Sequence, residues 1–267
     1  MSVYRKVRSK LYHSSDYLQY LWERRTFKKI RKEFEQISDR DFAIRHYRQV
    51  TGKDLSLGNP QTFDEKLWYL KLNNRDPLLT ICSDKYRVRE YVERCGLSHI
   101  LNEQYGVFDD ARIINFNTLP SPCFLKCNHT SGTNIIFDRT KPFPKRSFIR
   151  KFNFMLKQNY FWVSREWNYK NIEPKIVAER VLKNKDGSPL HDYRFMCFSG
   201  VPKFMMMDID TCTEDGAHSP DARRNIYDEN MKLLEVTFSR ARHDIPIPLS
   251  HRQFEEMKSY AAILSEP

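Results

Sequence analysis

The sequence is poor in glycine, with eight residues in 267. None falls in a GxxxxGK[ST] or GxGxxG arrangement. That excludes a P-loop and a dinucleotide-binding turn, both of which need spaced glycines to bring backbone N–H groups onto phosphates. The six cysteines (82, 95, 123, 127, 197 and 212) form no CxxC pair, so they give neither a zinc ribbon nor a dithiol motif. Set mostly in apolar runs, they read as buried free thiols of a cytosolic, reducing environment. No stretch of about 18 apolar residues exists to span a bilayer. Arginine and lysine break every early apolar run, so no signal peptide is expected. Repeats and low-complexity tracts are missing too, and the basic residues follow neither an RNP nor a helix-turn-helix pattern, so nucleic acid is not an expected partner.

What is present describes a folded protein. Hydrophobic residues make up 40% and aromatics 13% of a chain long enough for one large or two medium domains. The net charge of +11 favours anionic partners. About half of it lies in front: residues 1–35 hold ten Lys/Arg (5, 6, 8, 10, 24, 25, 28, 29, 31 and 32) against four acids (16, 23, 33 and 35). Tyr12, Tyr17, Leu18, Leu21, Trp22, Phe27, Ile30 and Phe34 lie between them at roughly helical spacing. This basic amphipathic stretch has two readings: a peripheral contact with the inner face of the cell membrane, or a helix packing its apolar stripe on the domain.

The remainder reads as α+β. After a linker at 51–60, Thr62 and Glu65 make a capping box opening a helix to about Leu72. A second helix is expected from near Ser83–Asp84 to Gly96. Short strands follow near 104–108, 123–128 and 134–137, then a helix over 144–158 and a strand over 175–182. Asp186-Gly187 signals a turn, "DYRFMCFSGVPKFMMMDID" (192–210) two strands about Ser199-Gly200, and 250–264 a helix.

"FLKCNHTSGTNIIF" (124–137) carries the chemistry. A buried sheet gains nothing from Lys126, and a tight hairpin does not need Asn128, His129, Thr130 and Ser131 beside Gly132. A strand-end cation followed by a small polar loop suits phosphate, whereas the plain alternative is an edge lysine beside a turn. His129 has no second His or Cys at ligand spacing, so no metal ligands are assigned. "MMMDID" (205–210) ends in Asp208-x-Asp210, an arrangement many glycosyltransferases use to hold a metal and a sugar nucleotide. The βα alternation expected before it is missing.

Four segments in order — "TFDEKLWYLKLNNRDPLLTICSDKYRVREYV" (62–92), the Lys126 stretch, "YFWVSREWNYKNIEPKIVAERVL" (160–182) and "DYRFMCFSGVPKF" (192–204) — resemble the TupA-like ATP-grasp family over about 60–228. Its members often sit among surface-polysaccharide genes and are frequently labelled glycosyltransferases. The resemblance implies an ATP-grasp fold of two α+β lobes with ATP and Mg2+ between them. It implies a ligase that joins a carboxylate to an amine, with a uronic-acid polysaccharide and an amino acid as possible substrates. Lys126 matches the lysine that contacts the phosphates, and His129, Thr130, Ser131 and Gly132 match the covering loop. Glu179 to Leu182, with Val181, match the hinge that lines adenine. Asp84-Lys85 resembles an architectural "DK". Arg194 matches a basic residue that faces the phosphates or the acyl phosphate. "SREWNYKNIEP" (164–174) is expected to pack between the lobes.

The expected division is a basic helical arm over 1–60, a nucleotide-binding lobe over 61–185 and a C-terminal lobe over 186–267. In the family a strand pair carrying an Asp and then "GE" follows a late helix, and its side chains hold Mg2+. This sequence stops at "MKSYAAILSEP", so the second lobe is expected to be incomplete, with the strands near 192–209 uncovered. A catalytically inactive nucleotide-binding domain is the non-enzymatic alternative. Lys126 itself is expected to contribute little to the fold.

Overall fold

A computed structural model describes residues 16–184 and 190–266. The Asp186-Gly187 turn, the boundary at 185/186, Tyr12 and the basic residues at 5, 6, 8 and 10 lie outside them. Helix α1 (Asp16–Phe34) leads into α2 (Asp39–Thr51), whose N-cap Ser38 accepts from the Asp41 N–H. Helix α3 (Phe63–Asn73) starts at the capping box, with the Thr62 and Glu65 side chains bonding each other's backbone. These helices gather Phe42, Ala43, Tyr47 and Trp68 into a small core of their own.

The helix expected from about residue 83 to 96 starts late, as α5 (Val88–Arg94), and a separate helix not expected from the sequence, α4 (Pro77–Ser83), precedes it. The break between them at Asp84 is tertiary in origin. The Asp84 carboxylate accepts from the Tyr86 N–H and from Asn128, 44 residues away. The Lys85 N–H reaches the Asn128 carbonyl. Each bond draws this turn out of the helical path.

The first sheet is antiparallel, in the order β1 (Gln104–Phe108), β4 (Ile176–Arg180), β2 (Cys123–Cys127), β3 (Asn134–Phe137). Alternation along β2 and β4 turns Cys123, Leu125, Cys127, Ile176 and Ala178 to one face. There they meet Phe148, Phe152 and Met155 of α6 (Lys145–Met155) in the largest core. Burial pushes the Cys123 and Cys127 thiols up to about 12, so both stay protonated and unreactive. A one-turn helix α7 (Phe161–Ser164) precedes β4.

The second sheet is a meander of β5 (Asp192–Phe198), β6 (Val201–Ile209), β7 (Arg223–Asp228) and β8 (Leu233–Leu234). Met205, Met207, Ile209 and Tyr227 are buried on Phe254 of α8 (His251–Ser265). Of the two strands expected to lie uncovered, β6 is therefore central, and the apolar face of both packs on α8. The reason is β7, which the sequence reading did not contain: it pairs with β6 from Phe204↔Asp228 to Ile209↔Arg223. β5 and the two-residue β8 are the edge strands of this sheet among the described residues.

Residues 164–174 also depart from expectation: Arg165 ties this segment to the N-terminal helices, not to the second sheet. Its buried guanidinium pairs with Asp39 at 2.8 Å, donates to the Phe34 and Ile37 carbonyls, and lies over the Phe42, Phe161 and Trp162 rings. On the same side, Tyr20 and Phe27 of α1 stack edge-on against Phe154 of α6. Part of the α1 apolar stripe is thus used by the fold. Tyr17, Leu18 and Trp22 remain exposed beside Arg24, Arg25, Lys28 and Lys29.

Candidate functional site

The face of the first sheet away from α6 presents Phe124 and Lys126 from β2 and Glu179 from β4. β2 and β4 pair antiparallel, with Phe124 opposite Glu179 and Lys126 opposite Val177. This register sets Lys126 and Glu179 diagonally, and the Lys126 Nζ meets the Glu179 Oε2 at 2.6 Å. The pair is largely shielded from water, the side chains being 21% and 10% exposed. An ammonium carries three donors, and the ion pair uses one. Glu179 is therefore a partner of Lys126 here.

Beyond β2 the chain forms the loop 128–133. Asn128 is its fixed post: Nδ2 donates to Asp84 at 2.8 Å and to the Glu173 carbonyl at 2.9 Å, and Oδ1 accepts from the Lys175 N–H at 2.7 Å. Lys85 pulls on the inner side, its Nζ donating to the Asn128 carbonyl at 3.1 Å and the Thr130 carbonyl at 2.6 Å. Burial, and after it the charge of Lys126, bring the Lys85 ammonium down to about 8, with Cys127, Asp84 and Glu179 acting the other way. Among the described residues, the backbone N–H groups of His129, Ser131 and Gly132 donate to no protein acceptor. A run of such donors beside two lysines is an anion-binding arrangement.

Gly132 has φ +78°, and a Cβ there would come within 3.0 Å of the His218 ring. Only glycine combines that backbone with that approach. His218 belongs to a hairpin, residues 211–219, that leaves the second sheet after β6 and bridges Cys212 to His218. At its tip the Asp215 carbonyl accepts from the Ile136 N–H at 2.7 Å, and the Gly216 carbonyl accepts from Asn134. The second sheet thereby closes on the edge of the first, beside the loop.

The sequence-derived residues divide. Lys126 and Glu179 meet at this face, and Ser131 and Gly132 lie in the loop that follows β2, Gly132 against His218. His129 and Thr130 belong to the same loop but are buried; the His129 ring nitrogens engage Asn128 and the Met155 carbonyl. Burial also lowers the His129 pKa, so its ring is a neutral prop under the loop. Val181 and Leu182 follow the end of β4, outside regular structure, and Leu182 is exposed. Arg194 stands apart on the second sheet, at 3.6 Å from Asp192 and 3.4 Å from Asp208.

Asp208 does not bear out the glycosyltransferase alternative. Its buried carboxylate accepts from Arg224 at 2.5 and 2.8 Å and from Arg240 at 3.0 Å. Burial alone would raise its pKa, but the arginines hold it below the usual carboxylate range. A metal would have to displace guanidinium groups, and the neighbouring Asp210 pairs with Arg223. Lys85, Arg224 and Arg240 escaped the sequence reading as site residues. Only the "DK" pair signalled Lys85; Arg224 sits on the strand the reading lacked.

Nothing among the curated proteins or the solved structures matches the chain. A family model described as TupA-like ATPgrasp matches residues 65–266, which takes in both sheets, the 128–133 loop and α8, and the chain belongs to that TupA-like ATP-grasp family.

Proposed function

We propose that the protein is an ATP-dependent ligase joining a carboxylate to an amine in the biosynthesis of a bacterial surface polysaccharide, such as a capsule or a teichuronopeptide-like polymer. The observation that carries the reading is the loop 128–133: free N–H groups at His129, Ser131 and Gly132 beside Lys126 and Lys85, within the family match. ATP fits this chemistry, with its phosphates on the loop donors and Lys126, and the base toward Glu179, Val181 and Leu182. An oxygen of the substrate carboxylate attacks the γ-phosphorus, the bond to the β-phosphate oxygen breaks, and ADP leaves. The amine nitrogen then attacks the acyl carbon, the C–O bond to phosphate breaks, and inorganic phosphate and a proton leave as the amide forms. The residues act by position and charge: Lys126 offsets negative charge on the transferred group.

Mg2+ generally accompanies ATP in the family. Among the described residues no three His, Cys, Asp or Glu side chains gather to hold it, so no step is derived through it. The acidic substrate is proposed to be a uronic acid of the polymer and the amine an amino acid. The proposed place of action is the cytoplasm, with the basic front of α1 at the inner membrane face.

Hydroxylamine provides the test, because it converts an acyl phosphate to a stable hydroxamate. Incubation with ATP, hydroxylamine and a uronic-acid polymer should give hydroxamate and ADP in equal amounts. ADP release indifferent to the acid, or sugar transfer from a sugar nucleotide without ATP, would contradict the reading.

A further inference from the structure

We propose that Arg194, Arg224 and Arg240 form a carboxylate-binding subsite on the second sheet, which receives the acid group of the substrate. The three guanidiniums come from different segments: β5, β7 and the chain between β8 and α8. They converge on the one buried carboxylate of Asp208, on the sheet face turned away from α8.

The charges do not cancel. Arg194 also faces Asp192, so three cations stand against two carboxylates and one positive charge remains. Hydrogen bonding is equally uneven. Arg224 makes a two-pronged contact with Asp208, and Arg240 adds one bond. Arg194 lies at 3.4 and 3.6 Å from its two aspartates and hydrogen-bonds to neither, with its side chain half exposed. Asp208 therefore works as an anchor: it fixes two guanidiniums and leaves the donors of the third, and the outer donors of Arg240, for another oxyanion. The planar guanidinium fork matches a carboxylate edge to edge.

The surroundings suit an acid on a larger body. Arg224 lies over the Phe238 ring at 5.9 Å, and that ring is exposed, giving an apolar plate beside the charges. β6 runs from Asp208 directly into the hairpin that packs on Gly132, so one short connection joins these arginines to the phosphate loop. The inference rests on the ligase reading only for the identity of the acid; the binding is a property of the arginines.

Calorimetric titration without nucleotide tests it, with D-glucuronate as the probe, D-glucose as the neutral control and inorganic phosphate as a rival oxyanion. The wild type should bind glucuronate and not glucose. Arg194→Gln and Arg240→Gln, whose side chains are at least partly exposed, should fold as the parent does by circular dichroism. Both should weaken glucuronate by roughly tenfold or more, and Arg194→Lys should recover little, because a point charge lacks the fork. Glucuronate binding that is undetectable in the wild type, equal in the variants or matched by glucose would overturn the proposal. So would inorganic phosphate that binds more tightly and displaces glucuronate. Because no nucleotide is present, a failure of ATP binding at Lys126 and a failure here are read separately.

Discussion

A lysine at a strand end ordinarily reaches water, and its replacement ordinarily costs little. Lys126 instead donates to a Glu179 carboxylate that is nearly closed off from solvent. The expectation that it leaves the fold indifferent does not stand, because Lys126→Ala strands a shielded negative charge. That variant should lose about 1–3 kcal/mol in urea unfolding. Lys126→Ala with Glu179→Ala together should recover much of the loss, and simple additivity of the two would mean the pair is uncoupled. Lys85 is the second residue whose worth depends on context. Its ammonium titrates near 8 in the fold, against 10.5 as an ordinary lysine. Between those values the unfolded chain holds the extra proton, so this group makes stability rise with pH over that window. Cys123 and Cys127, held protonated to about 12, act in the opposite direction. The difference in unfolding free energy between wild type and Lys85→Met isolates the lysine. It should move in the wild type's favour from pH 8 to 10, and a flat difference would mean that burial does not shift Lys85.

Elements whose signals are local were legible in the sequence. Thr62 and Glu65 lie three residues apart, and α3 begins there with both capping bonds made. α8, expected only as a helix over 250–264, begins in the same way at Ser250 and Gln253. β2, β3 and the β5–β6 hairpin followed from apolar runs around turn residues. β7 was not legible, because "RRNIYD" alternates nothing: buried Arg224 and Asn225 sit side by side, satisfied by Asp208 and His243. The break at Asp84 and the ion pair at Lys126 depend on partners 44 and 53 residues away, which no local pattern contains. The hairpin 211–219 was equally hidden, although it fastens one sheet to the other. Gly216 has φ +86°, and a Cβ there would come within 3.0 Å of the Phe124 ring and 3.1 Å of the Ile136 nitrogen. Gly216→Ala should therefore lift the hairpin, at a cost of about 1–2 kcal/mol. Hydrogen exchange at the Ile136 amide, which donates to the Asp215 carbonyl, reports on it directly. Exchange should quicken in the variant, and unchanged protection would place the fastening elsewhere.

For the whole molecule, charge separates two roles. No helix among the described residues is long and apolar enough to cross a membrane. α1 nevertheless carries Arg24, Arg25, Lys28 and Lys29 exposed beside Tyr17, Leu18 and Trp22. Binding to vesicles containing anionic lipid should weaken as salt rises. Replacing the four basic residues by Gln should cut it by roughly tenfold or more, since each is worth about 1 kcal/mol near such a surface. Equal binding by the variant would assign α1 to packing alone. The central claim concerns the other role, that the 128–133 loop and Lys126 hold the phosphates of ATP. Calorimetric titration of ATP and adenosine into wild type and Lys126→Gln tests it most directly. ATP should weaken by roughly tenfold or more in the variant, the worth of a charge-assisted contact, while adenosine binds both proteins alike. ATP affinity unchanged in Lys126→Gln, or lost in step with adenosine, would contradict the account and leave Lys126 as the counter-ion of Glu179 alone.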